Sequence, residues 1–437
     1  MKKTIDELRR TDMNKLDVYV NKKRVAILTK EHPHYVLTYL PGAVPSDFVS
    51  LTMPVRAASW VSSGKLHPFF ETNLPEGLKR AAISEMFGKA MVSEAMSLLA
   101  LTGSDTIGRV FVVPAGFDLE WKERFSCDID LAVHNDTRAF FADVLSKFAT
   151  QGVSGVQPKA LAIDSKITVK TDSWVIKHDS TGLEWMSANE HLSMTAAKMA
   201  GLNVADTILS DDGMSIFVKR FDIDDLGNAY GFEDFCGLMG LSSVEKYSGS
   251  MEKMAKIMDR VVTNYRDAKK DLMKVVIFNL CIGNSDAHLK NFGVIYRDTE
   301  SVAVSPFYDI VSVRAFDAFK SDIPALTIGG KKEWTVGKVV KMFAFQHLGL
   351  NSHDVEQAVF DVARAVEKTI PDVISLSEKL PGFRDHAKRM VASWSTGIRR
   401  INGQKINYDD NSILSSLLMS EPDVTSKTNS PNPYKPK

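Results

Sequence analysis

The stretch GNSDAHLKNFGVIY, Gly283–Tyr296, puts Asp286, His288, Lys290 and Asn291 within six residues. Before it runs AKKDLMKVVIFNLCIG, Ala268–Gly283, whose Leu272, Val275, Val276, Asn279 and Leu280 recur at helical spacing. After it comes an apolar run of strand character. Four polar groups therefore gather where a loop leaves the core. Asp286 and Asn291 stand in a D-x-x-x-x-N spacing, which by itself fits two arrangements. In one, both side chains satisfy the backbone of a turn. In the other, the loop presents a proton acceptor and an oxygen ligand side by side. His288 taken alone is an ordinary hydrogen-bonded loop histidine.

The bulk numbers narrow the choice little. The chain has 437 residues, enough for two or three domains at about 150 residues each. Apolar residues make up 44% and charged residues 25%, the balance of a globular protein with a real core. Lys plus Arg and Asp plus Glu both total 54, so net charge gives no sign of a nucleic-acid partner. Cys127, Cys236 and Cys281 show no C-x-x-C spacing, which argues against a disulfide framework and a zinc site. MKKTIDELRR lacks the apolar centre of a secretory signal. No apolar run approaches the ~20 residues that span a bilayer. The expected compartment is a reducing cytoplasm.

Outward from the opening stretch, the pattern predicts five parts. Residues 1–15 read as an N-terminal arm. Residues 16–150 read as a small α/β subdomain, with strands in LDVYVN, RVAILT, YVLTYL and GRVFVVPAG. Helices are expected in EGLKRAAISEMFGKA and in VSEAMSLLALTG, the second capped at Gly103. Residues 151–228 hold strands in KITVK, WVIKHD, ILS and MSIFVKRFD. Between them EWMSANEHLSMTAAKMAGLNV reads as a helix, with Leu192, Ala196 and Met199 on one face and Gly201 ending it. Residues 229–420 are mainly helical. Residues 421–437, polar and rich in proline, are expected to be disordered.

D-x-x-x-x-N is the spacing of a protein-kinase catalytic loop. There the Asp takes or orients the proton of the acceptor hydroxyl and the Asn holds a Mg²⁺. A second carboxylate is then required. VAVSPFYDIVS supplies Asp309, and two short strands with a turn would return it to Asn291. A nucleotide site also needs a cation on a rigid element. Lys177 in WVIKHD sits in an apolar strand, where a lone lysine is costly unless paired or functional. Glu190 on the following helix is its candidate partner. The small residues of GVSGVQPK, Gly152–Lys159, allow backbone N–H groups near phosphate, although a simple turn explains them as well. FVKRFD offers a linker whose backbone can meet an adenine edge.

In this order the segments SGVQPK, WVIKHD, ANEHLSMTAAKMAGLNV, FVKRFD, FEDFCGLMGL, NSDAHLKNFGVIY and SPFYDIVS resemble the HipA family of bacterial serine/threonine kinase toxins. FFETNLPEG and GRVFVVPAG agree with its N-terminal part, and the likeness covers about residues 16–400. The resemblance implies an α+β, atypical bilobal kinase-like fold, with a strand-rich N-terminal lobe and an all-helical C-terminal lobe. It implies ATP and Mg²⁺ as cofactors. Asp286 would be catalytic, and Asn291 with Asp309 would hold the metal. Ser154, Gly155, Val156, Gln157, Pro158 and Lys159 would form the phosphate-covering loop. Lys177 would meet the ATP phosphates, and Lys219, Arg220 and Phe221 would form the adenine-binding hinge. His288, Leu289 and Lys290 would line the nucleotide, with Tyr308 beside Asp309.

The family often carries serine at the first loop position. Here Gly152 stands there and Ser154 is third, so Ser154 is the expected self-modified residue. The resemblance further implies a HipB-like helix-turn-helix antitoxin, operator DNA reached through it, and a protein substrate such as an aminoacyl-tRNA synthetase. Two alternatives stay open: a silent kinase-like corepressor, and a kinase for a small molecule or lipid.

Overall fold

In the computed structural model, residues 11–76, 80, 94–119, 133–134, 167–171, 173–179 and 182–403 are described. The start of the expected arm, most of EGLKRAAISEMFGKA, Ser154–Lys159 and the 421–437 tail lie outside them.

The first sheet is antiparallel, in the order β4-β3-β2-β1-β5. Its strands are β1 (Lys15–Val20), β2 (Lys23–Glu31), β3 (His34–Tyr39), β4 (Trp60–Ser63) and β5 (Val110–Pro114). Leu16, Val18 and Val20 alternate into the core. Asn21 and Lys22 take positive φ of 47° and 66°, the tight primed turn that suits a twisted hairpin. The short helix α1 (Pro68–Glu71) and α2 (Ala95–Thr102) pack beside this sheet. Gly103 closes α2 as expected, and for a steric reason. Its φ is −68°, and an added Cβ would lie 2.7 Å from the carbonyl oxygens of Leu99 and Val112.

The second sheet, also antiparallel, runs β6-β7-β9-β8. It contains β6 (Ile167–Lys170), β7 (Trp174–His178), β8 (Thr207–Leu209) and β9 (Ser215–Lys219). Helix α3 (Met186–Met199) lies against β8 and β9. Leu192 and Ala196 are buried as expected, but Met199 is 48% exposed. It is the last helical residue, and the helical period does not show where a helix overruns the surface it packs on. Gly201, at φ +79°, turns the chain away.

The remainder is mainly helical: α4 (Phe235–Leu238), α5 (Met251–Val261), α6 (Tyr265–Ile282), α7 (Lys341–His347), α8 (Ser352–Lys379) and α9 (Arg384–Asn402). Helices α6, α8 and α9 pack on one another around Trp394. The C-terminal part is not all-helical, however. β10 (Gly231–Asp234), β11 (Gly293–Tyr296) and β12 (Val302–Val304) form an antiparallel sheet there. The segments are three or four residues long and interrupt helices, so periodicity gives them little weight. Helix α8 also continues through Pro371.

Candidate active site

The opening stretch is aimed by the end of α6. Gly283 takes φ +72° and sits where a Cβ would meet Ser393 Oγ at 2.9 Å and Arg314 Cβ at 3.1 Å. The chain then runs irregularly through Asp286, makes a 3₁₀ turn at Leu289–Asn291 and enters β11. Polar side chains hold this shape. Asn284 Oδ1 accepts from Asp286 N at 3.2 Å, and Asn291 Oδ1 accepts from His288 N at 3.1 Å. Leu289 is fully buried and anchors the turn. Asn291 thus satisfies the loop backbone as one reading expected, but the other capping side chain is Asn284 rather than Asp286, which is left exposed.

The hairpin β11–β12 brings the chain back to Asp309, where Asn291 Nδ2 donates to Oδ2 at 2.7 Å. Asp309 takes φ +57°, a left-handed conformation unusual outside glycine. Such a conformation costs of order 1 kcal/mol and persists only where the surroundings impose it. Lys177 reaches the same carboxylate from β7, donating to Asp309 Oδ1 at 2.7 Å and to Glu190 Oε1 at 2.5 Å. Glu190 is fully buried on α3, and its Oε2 has no hydrogen-bond partner among the described residues. Burial alone would lower the pKa of Lys177, but Asp309 and Glu190 raise it above the ordinary value. The ammonium therefore stays charged. The structure thus brings together Lys177, Glu190, Asn291 and Asp309, with Asp286 and His288 on the same short loop. His288 is buried, and its Nδ1 has no hydrogen-bond partner among the described residues. Burial lowers its pKa against the pull of Asp286, so the ring is neutral at pH 7.

Other expected site residues take more specific positions. Lys290 turns away to the N-terminal subdomain. Its ammonium donates to Thr72 O at 2.8 Å, to Ser243 Oγ at 3.3 Å and to the Glu76 carboxylate. Three donors are thus used on protein, which differs from the expectation that Lys290 faces nucleotide. Lys219 N and Arg220 N donate to Asp206 O and Ser173 O, both at 2.8 Å. Arg220 also grips Asp222 through Nε and Nη2, at 3.0 and 2.6 Å. Those two N–H groups are therefore not available to an adenine edge. Phe221 instead forms an aromatic group with Tyr308 and Phe232, at centroid distances of 5.6 and 5.7 Å. Tyr308 also ties the site together by donating to Lys290 O at 2.6 Å. Ser154–Lys159 lies outside the described residues.

Sequence reasoning missed Tyr247, whose phenol donates to Asp286 Oδ1 at 2.9 Å, and Glu76, which holds Lys290 and Lys246. Neither lies near the loop in sequence, and nothing in their local pattern marks them.

Residues 151–370 match the family model described as the HipA-like C-terminal domain. Residues 16–113 match the HipA N-terminal domain. The chain belongs to the HipA family. It is 24% identical over 391 residues to the serine/threonine-protein kinase toxin HipA of Shewanella oneidensis, covering 83% of this chain and 88% of that one. It is 28% identical over 318 residues to the protein Y4dM of Sinorhizobium fredii, covering 68% of this chain and 73% of that one. The solved complex of HipA, HipB and operator DNA from S. oneidensis contains a chain of the same fold. The TM-score is 0.65 at 18% identity, over 89% of this chain and 97% of that one. The HipA fold is α+β and kinase-like, and this chain shares it. No helix among the described residues is long and apolar enough to cross a membrane.

Proposed function

We propose that this protein is a HipA-type serine/threonine kinase that transfers the γ-phosphate of ATP to a protein hydroxyl. The observation that carries the reading is the convergence of Lys177, Asn291 and Asp309, held by hydrogen bonds of 2.7 Å, beside the exposed Asp286. Asp286 is exposed, with Oδ1 accepting from Tyr247, at a surface that an incoming hydroxyl can reach. It would orient that hydroxyl and take its proton. Lys177, kept charged and positioned by Glu190, would bind the ATP phosphates.

Asn291 and Asp309 fit a Mg²⁺ site. Both carry side-chain oxygen, as a hard cation requires, although Asn291 Oδ1 here accepts from His288 N and the two Asp309 oxygens accept from Lys177 and Asn291; Mg²⁺ commonly takes one or two protein ligands with the rest from phosphate and water. Among the described residues no group of three His, Cys, Asp or Glu side chains could hold a metal alone, so nucleotide phosphates would complete the shell. Bound Mg²⁺ would neutralise charge on the transferred group. His288, neutral and with Nδ1 unpartnered among the described residues, can accept a hydrogen bond beside the nucleotide. Phe221 and Tyr308 give the adenine an apolar, aromatic neighbourhood, while Ser154–Lys159 would cover the phosphates. Ser154 remains the proposed self-modified residue. A phosphate there would repel ATP by charge.

The toxin name of one relative and the solved HipA–HipB–operator complex support a HipB-like antitoxin partner; growth arrest in the cytoplasm, with the antitoxin carrying operator binding, is part of the same proposal. A translation component is the proposed substrate class. The test is phosphoproteomics of host cells producing wild type or Asp286→Ala. Growth arrest and new phosphosites are expected with wild type alone. Equal effects from both would favour a corepressor role and defeat the kinase reading.

A further inference from the structure

Tyr247 has no part in the roles assigned above. It lies between α4 and α5, is 43% exposed, and donates its phenol to Asp286 Oδ1 at 2.9 Å. The ring stands edge-on to His288, with centroids 5.1 Å apart, and the Lys246 ammonium is 5.5 Å from the ring centre. The backbone around it is fastened to the same loop. Leu289 N donates to Lys246 O at 3.1 Å. Gly249 lies so close to Leu289 that an added Cβ would be 2.7 Å from its side chain. Tyr247 is thus held against the loop on both sides rather than free on the surface. Burial first, and then the charge of Asp286, raise the pKa of the phenol, so it keeps its proton and is the donor in this bond.

A hydroxyl donating to the catalytic carboxylate at hydrogen-bond distance is what general-base transfer requires of its acceptor. Tyr247 supplies such a hydroxyl from within the protein. Resting on the kinase reading, we propose that Tyr247 guards the acceptor site: its phenol occupies Oδ1 of the exposed Asp286 until a protein hydroxyl displaces it. In an unguarded site, a water oxygen would bond to the γ-phosphorus and the bond to the β–γ bridging oxygen would break. Asp286 would take the water proton and ADP would leave, so ATP would be hydrolysed without an acceptor. Tyr247 itself stays unphosphorylated, because it competes for Asp286 and does not serve as the nucleophile.

The test uses purified full-length protein with ATP and Mg²⁺, comparing wild type with Tyr247→Phe. Phenylalanine keeps the ring against His288 and removes only the hydroxyl. Two rates are read: inorganic phosphate released without acceptor, and phosphate transferred to proteins of a cell lysate. The ratio of hydrolysis to transfer should rise about tenfold, the scale of losing one hydrogen bond to a charged group. The rise should vanish in the Tyr247→Phe, Asp286→Ala double variant. A residue that merely shapes the loop would lower both rates together and leave the ratio unchanged, which would overturn the proposal. Phosphate on the Tyr247 peptide of wild type would overturn it too. Wild type that transfers phosphate while Tyr247→Phe shows no rise defeats this inference alone. Wild type that neither transfers nor hydrolyses ATP defeats the kinase reading and this inference with it.

Discussion

Lys177 shows how much depends on single side chains. Its ammonium joins Glu190, which is fully buried, to Asp309, so it is at once structural cation and candidate phosphate ligand. Replacing it by methionine leaves Glu190 buried without a counter-ion. Removing one partner of a buried pair costs about 3–5 kcal/mol, and that loss is expected in denaturant unfolding of Lys177→Met. ATP affinity should fall in the same variant, measured by calorimetry. A variant that unfolds and binds ATP like wild type would refute the placement. This part of the site was legible because it has a physical signature: a lysine in an apolar strand demands a partner, and Asp309 ends an apolar run at a distance two strands can close. Tyr247 and Glu76 were not legible, since each meets the loop only through tertiary closure. Lys290 was misread for the same reason. Its position in the loop is visible in sequence, whereas the direction of its side chain is decided by Thr72, Ser243 and Glu76.

At the scale of elements, the loop is aimed by α6 and steadied from two sides. Helix α9 lies so close to the end of α6 that a Cβ on Gly397 would be 1.6 Å from Cys281 O. Gly397→Ala must push the two helices apart just before the loop begins. The expected loss is about 3 kcal/mol, at the upper end for overpacking, seen as a lower melting temperature. An unchanged melting temperature would contradict the close contact. From the other side, Glu76 accepts from both Lys290 and Lys246. Burial alone would raise the pKa of this carboxyl, but Lys290 and then Lys246 hold it below the ordinary value. Glu76→Gln should weaken the tether, lowering phosphate transfer about tenfold through misplacement of the loop while ATP affinity stays near wild type. Steady-state kinetics beside nucleotide titration separates the two effects. The long helices were readable from their period, and the β10–β11–β12 sheet was not, because strands this short carry almost no pattern.

At the scale of the molecule, a buried carboxylate fastens the N-terminal sheet region to the rest. Glu233 accepts from Ser50 Oγ, Leu51 N and Tyr296 OH, each at 2.7 Å. Arg109 lies over the rings of Phe48 and Tyr296 nearby. Burial pushes Glu233 from an ordinary 4.5 up to about 7, against those hydrogen bonds. Below pH 4.5 folded and unfolded chains both hold the proton. Between pH 4.5 and 7 the unfolded chain releases it first, so stability declines by roughly 3 kcal/mol across that window and then levels. Glu233→Gln lacks this decline, and its stability relative to wild type should grow from pH 5 to pH 7 in denaturant unfolding. Parallel pH profiles would contradict the assignment.

The proposed phosphate-transfer site is centred on Asp286. Its most direct measurement is transfer of label from γ-labelled ATP by the purified protein, with Mg²⁺ and a cell lysate as acceptor. Labelled protein is expected with wild type and only background with Asp286→Ala. Equal labelling by the two, or none by wild type, would contradict it.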